Sequence, residues 1–154
     1  MKNSLILMTI FAGFITACQT KSPEEKADSL AAAPDTTVGN GKSCYAYIKN
    51  KDTVSLSMTK VGHDVTGNLD YNYYEKDKNT GTLTGQIKGD TLIADYTFMS
   101  EGTTTIRQVA FLIKDNQLTE GYGDSEEKNG KFVFMNTSKL NFTEGTTLSV
   151  IDCK

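Results

Sequence analysis

Few residues in this chain combine a reactive side chain with a spacing that does chemistry. His63 is the only histidine, and it lies in the turn signal Gly62-His63-Asp64. A zinc site needs three or four ligands, so this histidine reads as an exposed hairpin residue. Asp124-Ser125-Glu126-Glu127 gathers carboxylates just before Asn129-Gly130. It reads as a solvated loop, with weak calcium binding as the lesser alternative. Hydroxyl groups are abundant, yet no nucleophile-elbow, phosphate-loop or calcium-loop spacing occurs. No catalytic residue, metal ligand or cofactor is assigned, and the expectation is a protein that is not an enzyme.

Two charged residues fall where apolar ones are expected. Glu120 stands between Leu118 and Tyr122 on an alternating run, and Arg107 shares a parity with Val109 and Phe111. If both runs face inward, the two charges need each other, because a buried charge requires a partner. A structural pair or a rim position in water outweighs a catalytic role. Aromatic residues are more suggestive. Tyr71, Tyr73, Tyr96 and Phe98 project to one interior from adjacent strands, either as core filling or as the wall of a pocket for a small hydrophobic ligand.

The stretch that positions these residues is GTLTGQIKGDTLIADYTFMSEG, residues 81–102. Gly89-Asp90 separates two alternating runs and supplies the positive φ of a two-residue hairpin loop. The register follows: Ile87 faces Leu92, Gly85 faces Ala94, Leu83 faces Tyr96 and Gly81 faces Phe98. That face is apolar and the other is mostly polar. The two strand glycines read as bends, with close approach of a ligand as the alternative.

Similar runs recur at intervals of about ten residues from Cys44 onward, divided by Gly, Asn, Asp and Lys. Strands are expected at 44–49, 53–61, 65–75, 80–88, 91–99, 103–114, 117–123, 131–135 and 148–151, the last joined by a short one at 139–142. This predicts an all-β antiparallel meander that closes into a small lipocalin-like barrel of about eight strands. Its core includes Val54, Leu56 and Met58, and Val65, Leu69 and Tyr71. One strand has two readings. Counting through Ser100-Glu101-Gly102 turns Ile106, Ala110 and Leu112 inward, whereas counting back from Leu118 turns Val109 and Phe111 inward. Either a bulge interrupts residues 107–110 or both faces of that strand are covered.

Residues 1–17 have the order of a signal peptide: Lys2, an apolar run from Leu5 to Ile15, then small residues. Ile15-Thr16-Ala17-Cys18 resembles a bacterial lipobox, which implies that Cys18 is diacylated and becomes the mature N-terminus. Residues 18–43 hold both prolines and no aromatic residue, so they are expected to form a flexible tether. As coil they span about 25–30 Å, enough to hold a domain at 44–154 clear of a membrane. The net charge of −3 gives no footprint for nucleic acid.

With Cys18 acylated, Cys44 and Cys153 form an even pair in a compartment where disulfides persist. They begin the first strand and end the last, which an up-and-down barrel sets side by side. A bridge would close a loop of about 110 residues, for which chain entropy gives about 4 to 5 kcal/mol. Two free thiols or a redox pair are the alternatives, although neither cysteine lies in a Cys-x-x-Cys arrangement.

The β region resembles a group of short lipoproteins of the Bacteroidota. The resemblance rests on Cys44-Tyr45-Ala46-Tyr47, Val65-Thr66-Gly67-Asn68-Leu69, residues 74–79, GDTLIADYTFMSEG and Arg107-Gln108-Val109-Ala110-Phe111-Leu112. It implies a lipid-anchored protein of the cell envelope, placed at the outer membrane, and carries no activity with it. The expected function is non-enzymatic binding of a small hydrophobic ligand. The alternative is an envelope protein that binds another protein. Small disulfide-closed barrel lipoproteins that inhibit lysozyme are broadly similar, though their motif is absent here.

Overall fold

The computed structural model describes residues 39–154. The leader, Cys18 and nearly all of the tether lie outside the described residues. Ten strands follow: β1 (Gly41–Lys49), β2 (Asp52–Val61), β3 (Asp64–Asn72), β4 (Asn79–Lys88), β5 (Thr91–Ser100), β6 (Thr103–Lys114), β7 (Gln117–Gly121), β8 (Ser125–Lys128), β9 (Lys131–Phe134) and β10 (Thr147–Ile151). Eight of them close an antiparallel barrel in the order β5-β4-β3-β2-β1-β10-β7-β6, with β6 returning to β5. The β8–β9 hairpin is an excursion from the wall between β7 and β10.

Local turn chemistry explains why consecutive strands are neighbours. Five of the barrel's connections are two-residue loops, and each places Asn, Asp, Glu or Gly at positive φ, as at Asn50, Gly62, Gly89, Glu101 and Asp115. Such turns match the right-handed twist of the strands they join. At Gly89-Asp90 the expected register holds throughout, from Lys88 opposite Thr91 to Gly81 opposite Phe98. Added at Gly85, a Cβ would collide with the backbone of Ile93 and Ala94. What approaches this glycine is therefore the neighbouring strand.

Period-2 alternation sets the interior. Val54, Leu56 and Met58 on β2 meet Tyr71, Leu69 and Gly67 on β3, and the apolar members are buried. Tyr45 joins the same layer opposite Leu56, while Lys60 continues the inward row of β2 and is buried as well. β6 resolves its two readings without a bulge. Its ladder to β5 runs unbroken from Ser100 opposite Thr103 to Thr91 opposite Leu112. Val109, Phe111 and Ile113 point inward with Ala94 and Leu92, yet Ala110 on the opposite face is also fully buried. Ala110 lies beside Gly121, where the Phe142 ring occupies the space a side chain would fill. Both faces of β6 are thus covered.

The disulfide is Cys44–Cys153, with Cα atoms 5.2 Å apart. It staples the weakest part of the wall, since β10 reaches β1 and β7 through ladders of only three residues each. Four expectations change. β3 ends at Asn72, because Glu75 takes a positive φ of 57° and turns the chain, and β7 stops at Gly121. Residues 125–128 form β8, where a loop was expected. All four side chains are exposed, so there is no alternation to read, and the Asn129-Gly130 turn folds the strand onto β9. Residues 139–142 form no strand. A 3-10 turn at Thr137–Lys139, capped by the Asn136 side chain, precedes a single bridge from Asn141 to Tyr122.

Candidate functional site at the β6–β7 seam

The barrel wall is not uniformly paired. β6 and β7 are joined only from Lys114 opposite Gln117 to Ala110 opposite Gly121. Beyond Gly121 the chain leaves the wall, so the first half of β6 loses its partner on that side. The β9 strand takes its place, meeting β6 in a parallel pairing at Arg107 and Phe132. Two side chains dock the hairpin: the Phe134 amide donates to Gln108 Oε1 at 3.0 Å, and Lys131 Nζ pairs with Asp95 Oδ2 at 2.5 Å. Gln108 and Asp95 are opposed residues on the outward face of β5 and β6. Their polarity is therefore used to hold the excursion.

Where β9 takes the place of β7 beside β6, a pocket of about 450 Å³ lies at the seam. Phe98, Arg107, Val109 and Glu120 line it from the barrel side, and Phe132 and Phe134 from the hairpin. The volume lies within the range of small-molecule sites, and mostly apolar walls with a few polar groups are their usual composition.

The polar groups are arranged asymmetrically. Glu120 is buried at 4% exposure and accepts two hydrogen bonds, from the Tyr71 hydroxyl at 2.6 Å and the Tyr122 hydroxyl at 3.0 Å. Arg107 does not pair with it. Among the described residues Arg107 forms no ion pair, and its buried Nε has no hydrogen-bond partner. Its guanidinium carbon stands 5.4 Å from the ring centres of Tyr71 and Phe98 and 5.7 Å from that of Tyr96. The rings hold one another: Tyr96 stacks on Phe98 at 4.8 Å and meets Tyr71 edge-on at 5.8 Å.

Burial dominates the titration of this group. It raises the Glu120 carboxyl above its ordinary value, against the two phenol hydrogen bonds and the charge of Arg107. Burial also raises Tyr71, reinforced by the Glu120 charge and hydrogen bond, and pushes Tyr122 up to about 12. With its folded pKa raised, Glu120 holds its proton more tightly in the native state than in the unfolded chain. The associated stability is complete below the unfolded pKa and is lost as pH rises through the folded value. Glu120→Gln should therefore flatten the pH dependence: between about pH 5 and about pH 8, the variant should lose less unfolding free energy than the parent in urea titrations. Parallel slopes for the two proteins would contradict this.

Of the aromatic residues expected at a ligand site, Phe98 lines the pocket, while Tyr71 and Tyr96 are buried core that underlies Arg107. Tyr73 is partly buried and packs on Tyr71 with ring centres 6.1 Å apart. Arg107 and Glu120 do reach one interior, as the Leu118 register required, but not as a pair. His63 sits in its exposed turn. Among the described residues no three His, Cys, Asp or Glu side chains are placed to hold a metal. Phe132, Phe134 and Tyr122 were not expected at the site. The same-parity pair Phe132 and Phe134 in Phe132-Val133-Phe134 was the available signal, and Tyr122 follows Glu120 by one strand period. Comparison with protein-family models, curated proteins and solved structures returns no match to this chain.

Proposed function

We propose that the protein is a lipid-anchored binding protein of the bacterial cell envelope, of Bacteroidota type, whose barrel takes up a small hydrophobic ligand without transforming it. One observation carries the binding reading: an apolar pocket of about 450 Å³ where the β6–β7 wall parts. The barrel axis itself is filled by side chains such as Leu56, Tyr96, Phe111 and Leu118, so the ligand site is lateral. The signal-peptide order of residues 1–17, the lipobox-like Ile15-Thr16-Ala17-Cys18 and the polar segment after it support anchoring through Cys18. The Cys44–Cys153 bond suits an oxidising compartment outside the cytoplasm. The protein-binding alternative draws on the projecting β8 strand, whose Ser125, Glu126, Glu127 and Lys128 are all exposed.

Native mass spectrometry of the chain carrying Cys18→Ser, exported through a periplasm, decides between them. A stoichiometric small adduct that is released on unfolding is the expected result. A clean apo mass after gentle purification would count against the ligand reading and favour a protein partner.

A further inference from the structure

The seam pocket contains more hydrogen-bond donors than it uses. Glu120 feels the charge of Arg107 but makes no direct bond to it, since each of its carboxylate oxygens accepts from a phenol, Tyr71 on one side and Tyr122 on the other. Arg107 lines the same pocket with a buried Nε that has no hydrogen-bond partner. The three rings around it stabilise the cation through their faces. Ring contact of this kind forms no hydrogen bond, so it leaves the buried Nε–H of the guanidinium fork without an acceptor. A fork of that shape matches a carboxylate in bidentate fashion. A partly buried cation with no counter-charge bonded to it is costly to keep, and an anion bonded to the fork lowers that cost. Beside the fork the walls change character. Phe98, Val109, Phe132 and Phe134 offer apolar surface, and Phe132 remains 47% exposed at the mouth.

We propose that the ligand is a carboxylate-bearing amphiphile, its headgroup held by the Arg107 fork and its hydrocarbon laid against Phe98, Val109, Phe132 and Phe134. The proposal rests on the reading of the seam as a ligand site. In it, Tyr71 and Glu120 are positioning residues: the 2.6 Å hydrogen bond between them fixes the ring that lies against Arg107.

The test is calorimetric titration of the full chain carrying Cys18→Ser, exported so that the disulfide forms, with decanoate, decan-1-ol and decylamine. The expected result is decanoate binding at least about tenfold tighter than the alcohol, with the amine weakest. Arg107→Gln should abolish the preference for decanoate over decanol while leaving decanol affinity within about threefold. Phe132→Asp, a change at an exposed position that does not threaten folding, should weaken decanoate more than decanol by placing a like charge at the mouth. Equal binding of decanoate and decanol, or an Arg107→Gln protein that keeps its preference, would overturn the headgroup assignment and leave a purely apolar pocket. Should Arg107→Gln fail to fold, the Phe132→Asp comparison carries the test, and equal loss of both ligands overturns the proposal. Binding of none of the three overturns the inference, and the native mass of the exported protein then shows whether the seam holds a ligand of another class.

Discussion

Replacing Cys44 and Cys153 together with serine should lower the unfolding free energy by about 4–5 kcal/mol, measured by urea titration of the oxidised parent and the double variant. The bond spans a sequence separation of 109 residues, and a loop of that size carries a large closure entropy in the unfolded chain. The position makes the effect local as well as global. β10 is held by three residue pairs to β1 and three to β7, so it is the strand that the barrel can least retain without a covalent tie. Hydrogen exchange should therefore show the amides of β10, and that of Glu120, which donates to the Thr146 carbonyl, losing protection before those of β4 and β5. A loss below about 1 kcal/mol would mean that the eight- to ten-pair ladders from β1 to β6 determine stability and that the closure is dispensable.

Phe111→Ala should cost about 3–5 kcal/mol, whereas Leu112→Ala, one residue away, should cost about 1 kcal/mol or less. Phe111 is fully buried between Leu92 and Glu120, its partners on the two flanking strands. Its deletion leaves a cavity that the surrounding rigid strands cannot collapse. Leu112 points to the other face and is only partly covered. The contrast tests the register of β6 directly, because a one-residue slip would exchange the two roles. The reverse order of destabilisation, read from paired denaturation curves, would place the Leu112 face in the core.

The β4–β5 hairpin shows how far local sequence reaches. There the turn and the alternation agree: Gly89 supplies the positive φ, and the apolar parity on both strands selects the same pairing. On β6 the two local signals conflict, since Ala110 and Ile106 on one face are as apolar as Val109 and Phe111 on the other. Beside Ala110, the space at Gly121 is filled by the ring of Phe142, more than thirty residues later in the chain than Ala110, and no periodicity within β6 reports that. β8 is illegible for the opposite reason. Its Ser-Glu-Glu-Lys side chains touch no core, so its strand conformation comes from backbone pairing alone.

The candidate site divides along the same line. Parity placed Tyr71 and Phe98 on one interior, and Arg107 and Glu120 with them under the Leu118 register, because side-chain direction alternates along a strand whatever the strand packs against. Local sequence was enough for an antiparallel barrel of about eight strands, its two-residue turns, the inward faces of β2 to β5 and the nearness of the two cysteines at the ends of the barrel. That Glu120 bonds two tyrosines in place of Arg107, that the wall parts after Gly121 and that β9 meets β6 at Phe132 emerged from the closed barrel alone. Those outcomes depend on distances between segments far apart in the chain. Short-range sterics and solvation encode which way a residue faces, but which buried partner it meets is set by how the closed barrel and its excursion fit together.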